Sequence, residues 1–156
     1  MALPYREGDW FAIPLRGGTF AVGRIVRSPR RGGILLGYFF GPRRRQVPTL
    51  QEVANLEAQD AVMVRRFGDL ALMEGSWPIL GHHQATWNAQ QWPMPPFGFE
   101  DPLTRKSWRR DYSDDPSKLW IRQVPISAEE RRALPKDGLL GADAVVVLLH
   151  GLLREE

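Results

Sequence analysis

The chain contains no cysteine. That absence excludes disulfide bridges, a thiolate nucleophile and cysteine-ligated zinc or iron–sulfur sites together. Lysine is scarce as well: Lys106, Lys118 and Lys136 are the only ones among 21 basic residues, and Asn55 and Asn88 are the only asparagines. Such a bias matches a GC-rich coding sequence, so the arginine clusters need no selection for phosphate contact to explain them. The net charge is only +3 over 156 residues, small for a dedicated nucleic-acid-binding domain. No apolar run approaches the roughly 20 residues of a membrane span. Met1 to Arg6 carries no signal-peptide core, and a cytoplasmic protein is expected.

Signatures of catalysis are missing too. No serine sits in a Gly-x-Ser-x-Gly elbow, and Ser76, in Glu74-Gly75-Ser76-Trp77, lacks the second glycine. His82-His83 is the only adjacent histidine pair, without the spacing of a metal motif. Asp114-Asp115 and Glu129-Glu130 are accounted for by a turn and a helix cap. Neither Gly17-Gly18 nor Gly32-Gly33 resembles a phosphate-cradling loop. The expectation is a protein without enzymatic activity, metal or cofactor.

What is present is an ordinary globular composition, 43% hydrophobic and 25% charged, in a length suited to one domain over residues 1–156. Trp10 to Ile13 and Phe20 to Val26 flank the turn Leu15-Arg16-Gly17-Gly18 and predict a β-hairpin; Ile34 to Phe40 adds a third strand that Gly41-Pro42 should stop. Arg43-Arg44-Arg45 then falls in a loop. Thr49 and Glu52 form a capping box for a short helix to about Leu56, and Ser127 with Glu130 forms a second. Ala61 to Phe67 and Leu70 to Met73 read as strands split by a Gly68-Asp69 turn, and Trp77 to Leu80 as one more short run. Gln84 to Asp101, crowded with proline and large rings, predicts an ordered irregular loop. Ser107 to Tyr112 and Leu119 to Ile126 are late strands, and the apolar run from Ala142 to Leu153 is assigned to a helix although its valines also suit a strand. The fold class expected is α+β: a bent antiparallel sheet, SH3-like or a partly open barrel, with short helices and a C-terminal helix.

Gly8-Asp9-Trp10-Phe11-Ala12-Ile13-Pro14-Leu15, then Gly18 and Ala21-Val22-Gly23-Arg24-Ile25-Val26, and later Gly75-Ser76-Trp77-Pro78-Ile79-Leu80-Gly81, resemble the immunity protein 26 family of bacterial polymorphic-toxin immunity proteins. The resemblance implies a non-enzymatic protein that binds and neutralises a cognate secreted toxin by occluding its active site. It covers about half the chain and falls on residues of structural type, glycines for turns and close packing, rings for a core.

Rigid aromatics beside arginine are the residue types that concentrate binding energy at protein interfaces. A partner-binding surface is therefore expected at Arg43, Arg44 and Arg45 together with Trp87, Trp92 and Phe97 of the proline-rich loop, rings that the sequence leaves divided between core and interface. The alternative is a nucleic-acid-binding module on a small β-barrel, with Arg30-Arg31, Arg65-Arg66 and Arg109-Arg110 joining Arg43 to Arg45 as a phosphate-contacting face. Interspersed acids make a solvated surface the better account of those clusters, and the expected partner is a protein toxin rather than nucleic acid or a membrane.

Overall fold

The computed structural model describes residues 2–153. Strands β1 (Trp10–Pro14) and β2 (Phe20–Arg27) form the expected hairpin, with Gly17 and Gly18 at φ 80° and 75° in its turn and the Leu15 amide donating to the Thr19 carbonyl at 2.8 Å. β3 (Ile34–Arg44) pairs with β2, and β4 (Met63–Gly68) with β3. With β5 (Ile79–Gly81) beside β1 and β9 (Leu139–Leu140) beside β4, the first sheet runs β5-β1-β2-β3-β4-β9, antiparallel except for the last pair. Register shifts in β2 and at Trp10/Phe11 mark irregularities that bend such a sheet. It stays open, with β5 and β9 as its edges. A second sheet, β6 (Phe97–Glu100), β7 (Ser107–Asp111) and β8 (Arg122–Ile126), is a simple meander.

Strict alternation along the central strands loads both faces of the first sheet. Phe11, Ile13, Ala21, Ile25, Leu35, Phe39 and Phe67 face one core, where Trp77 stacks on Phe11 at 5.8 Å and the C-terminal helix α4 (Ala142–Leu152) brings in Val145 and Leu149. Trp10, Val22, Val26, Leu36, Tyr38 and Phe40 face a second core, closed by Val53 of α1 (Leu50–Val53) and by Trp92, Phe97 and Tyr112. The C-terminal helix is as expected, its buried residues spaced one turn apart; both capping boxes are formed, at α1 and at α3 (Ala128–Arg132).

Three expectations need correction, and one element was not anticipated. Leu70 to Met73 is not a strand but part of α2 (Leu70–Glu74), because the Asp69 carboxylate accepts from the Tyr5 hydroxyl at 2.7 Å and the Gly33 amide at 3.0 Å, while Gly75 closes the helix at φ 79°. Gly41-Pro42 does not stop β3, which continues until Arg44 stands opposite Phe20, so Arg43 and Arg44 are strand residues and only Arg45 enters the loop. The proline-rich segment is not irregular throughout: Phe97 to Glu100 pairs with β7, an alternation masked by the prolines before it. β9, only two residues long, carried no pattern at all. One segment stitches the sheets together: Pro135 and Asp137 bond to Gly98 of β6, and two residues further on Leu139 and Leu140 pair with β4.

Candidate functional site

The segment from Gly81 to Trp92 is held from beneath by two arginines of β2. Arg24, fully buried, donates from Nε to the Gly8 carbonyl at 2.9 Å and from its terminal nitrogens to Thr86 and His82 carbonyls at 3.3 and 3.4 Å. Its guanidinium carbon lies 4.7, 4.9 and 4.9 Å from the ring centroids of Trp10, Trp87 and Trp92, a cage of three indoles. Burial lowers its pKa to about 10, against the pull of Asp9, so the cation persists at neutral pH. Arg27 repeats the device, bonding the Trp92 and Ala89 carbonyls at 3.0 and 3.2 Å and Asp114 at 3.1 Å. Gly8, at φ 94°, lies so close beneath His82 and Trp87 that a Cβ there would collide with both.

This arrangement positions a loop. His82 Nδ1 meets Asp9 Oδ1 at 3.3 Å, His83 Nδ1 meets the Thr86 hydroxyl at 3.0 Å, and the two imidazoles serve different partners. Among the described residues no three histidine, aspartate or glutamate side chains group as metal ligands.

The six residues singled out from the sequence are dispersed. Trp92 is 3% exposed and Phe97 fully buried, the first packed on Trp10, Tyr38 and Phe40, the second on Tyr112. Both rings are spent on the core, because the loop folds inward over the second face of the sheet. Trp87 is half-buried on Arg24. Arg44 sits opposite Phe20, about 13 Å along β2 from Arg24, so the triplet and Trp87 occupy different ends of the sheet. At the triplet's end Arg43 donates to the His150 carbonyl at 2.7 Å, the Arg16 amide donates to His150 Nε2 at 2.8 Å, and Arg45 is exposed. Burial, followed by the charges of Arg43 and Arg16, holds His150 below its ordinary pKa, consistent with a neutral acceptor ring. The result is a basic rim of Arg16 and Arg43 at the last turns of α4, with exposed Arg45 next along the chain, while Arg44 lies toward Glu52 of α1 on the other face of the sheet.

Sequence reasoning missed a buried carboxylate, Asp137, which accepts from the Tyr112 hydroxyl at 2.8 Å, Arg110 at 2.9 Å and Arg66 at 3.3 Å. Burial alone would raise its pKa, but the bonds from Arg110 and Tyr112 and the Arg66 charge outweigh it and hold it below the usual carboxylate range. Arg110 is sandwiched between Trp120 and Phe99, with centroids at 3.6 and 3.7 Å. Arg66 and Arg110 are thereby internal, and Arg109 pairs with Asp111 at 2.9 Å. The only sequence signals were an arginine within an apolar strand, at Arg24, and arginine doublets whose partners lie far along the chain.

No curated protein and no solved structure matches the chain. The family model for immunity protein 26 matches residues 6–109, from just before β1 into β7, and includes every residue that carries the resemblance. Gly8 beneath His82, Gly23 against the Phe11 ring and Trp77 stacked on Phe11 show why those residues are of structural type. The chain therefore belongs to the immunity protein 26 family, and is an immunity protein against a toxin.

Proposed function

We propose that the protein is a non-enzymatic cytoplasmic inhibitor that binds a cognate secreted bacterial toxin and covers its active site. Family membership carries this reading. The geometry supports it with a rigid frame: α4 is tied to the β1–β2 turn and to β3 through His150, and the 82–92 loop is pinned by Arg24 and Arg27, so little order need be gained on binding. The triplet from Arg43 to Arg45 is the contact surface, with the exposed Arg45 suited to a carboxylate on the toxin. Trp87 supports that frame from the far end of the sheet, and Trp92 and Phe97 support it from the core.

The test is co-expression with the open reading frame immediately upstream. The neighbour alone should arrest bacterial growth, co-expression should restore it, and the pair should co-elute on gel filtration with the toxin's activity suppressed. Arg45→Glu, on an exposed residue, should weaken the complex at least tenfold with the melting temperature unchanged. Unaltered affinity in that variant would remove the rim from the interface, and a harmless neighbour would remove the function.

A further inference from the structure

The first sheet has an incomplete edge. β9 pairs only with Arg66 and Phe67, so among the described residues no strand lies beside the outer edge of Met63, Val64 and Arg65. That stretch instead floors a groove whose walls are Leu148 and Leu152 of α4 and the chain from Ala133 to Lys136. Val62 and Leu152, both lining it, are 43% and 51% exposed.

Every charged residue lining the groove is a cation: Arg65 and Lys136. Arg65 is 8% exposed, and among the described residues its guanidinium meets only the Gly138 carbonyl, at 3.4 Å, while its Nε is buried without a partner. The nearby Asp137 carboxylate is already engaged by Arg66 and Arg110. Buried charges are ordinarily paired, and Arg65 feels Asp137 only through space while that carboxylate is hydrogen-bonded to Arg66 and Arg110, which leaves the Arg65 guanidinium able to take a further acceptor from the groove. The groove also adjoins the basic rim, since His150, which binds Arg43, and the groove residues Leu148 and Leu152 belong to the same last turns of α4.

We infer that this groove receives an extended segment of the toxin in which apolar residues flank an acidic one, the segment lying along the outer edge of β4 with its carboxylate on Arg65. Addition to a free sheet edge gives main-chain bonds, the aliphatic walls give burial, and the cations select an acidic over a basic segment. The inference rests on the toxin being the partner.

Hydrogen exchange of the full protein, alone and bound to the toxin encoded upstream, is the test. Amides of Met63 and Arg65 should be protected at least tenfold in the complex, and Val62→Asp and Leu148→Asp, both at exposed positions, should each weaken it at least tenfold while thermal unfolding is unchanged. Lys136→Glu should weaken it severalfold, an effect that apolar contact alone would not produce. A complex that forms without protection of those amides, and binds the Val62 and Leu148 variants normally, overturns the groove and leaves the proposed function standing. Failure to form any complex overturns the proposed function, and the groove's occupant with it.

Discussion

Arg24 shows how one side chain can order a whole loop. Removing it would strand three carbonyls that now accept from its fork, each costing about 1–3 kcal/mol if left buried and unbonded, and would empty the space between three indoles. Arg24→Ala should therefore lower stability by about 4 kcal/mol, a fall of roughly 12 °C in Tm for a chain of this size. Lysine should rescue little, since a single ammonium cannot reproduce the fork. His150 gives a pH signature of known sign. Its pKa is lowered in the folded protein, so below the ordinary histidine value of about 6.5 the unfolded chain takes up the proton more readily, and stability is lost as the pH falls through that window. A glutamine carbonyl accepts from the Arg16 amide at any pH. Thermal melts between pH 5 and 7 should fall less steeply for His150→Gln than for the parent protein; parallel slopes would show that His150 does not titrate on unfolding.

Among the elements, α4 closes the first core. Val145 and Leu149 are fully buried against the first face of the sheet, and Leu153 packs over Gly41 of β3. Leu149→Ala should cost about 3 kcal/mol, read from the urea midpoint at constant slope. The exposed flank of the same helix carries Val147, Leu148 and Leu152, 54%, 37% and 51% exposed. Substitutions there should leave the midpoint in place and appear only in toxin binding. α2 behaves differently: it lasts barely more than a turn and depends on Asp69, whose carboxylate ties it to Tyr5 and the Gly33 amide.

For the molecule as a whole, stability and recognition should separate cleanly. Trp92 contacts Trp10, Tyr38 and Phe40 in the second core, so Trp92→Ala should lose about 4 kcal/mol and reduce protection by lowering the folded population. Raising expression or lowering the temperature should then restore growth. Neither should rescue Arg45→Glu if the rim meets the toxin. Three rows of packing, α4 on one face, the bent sheet between, and the aromatic loop with the second sheet on the other, let both faces of the central strands be buried. This explains the near-continuous apolar character of β2 and β3.

The sequence by itself determined whatever depends on neighbours along the chain. The glycine turn of the first hairpin, both capping boxes, the C-terminal helix and the blocks shared with the family are local patterns, set by φ, by short side-chain reach and by periodicity. Four residues from Leu70 were too few to show a helical period, and β9 too short to show any. Only the tertiary structure decided which tryptophans face inward, because Trp87 and Trp92 are placed by how Arg24 and Arg27 draw the loop over the sheet. It likewise decided that Arg66 and Arg110 turn inward to Asp137 while Arg65 lines a groove, since a charge finds its partner through space and the partner here is some 70 residues away from Arg66 and 27 from Arg110.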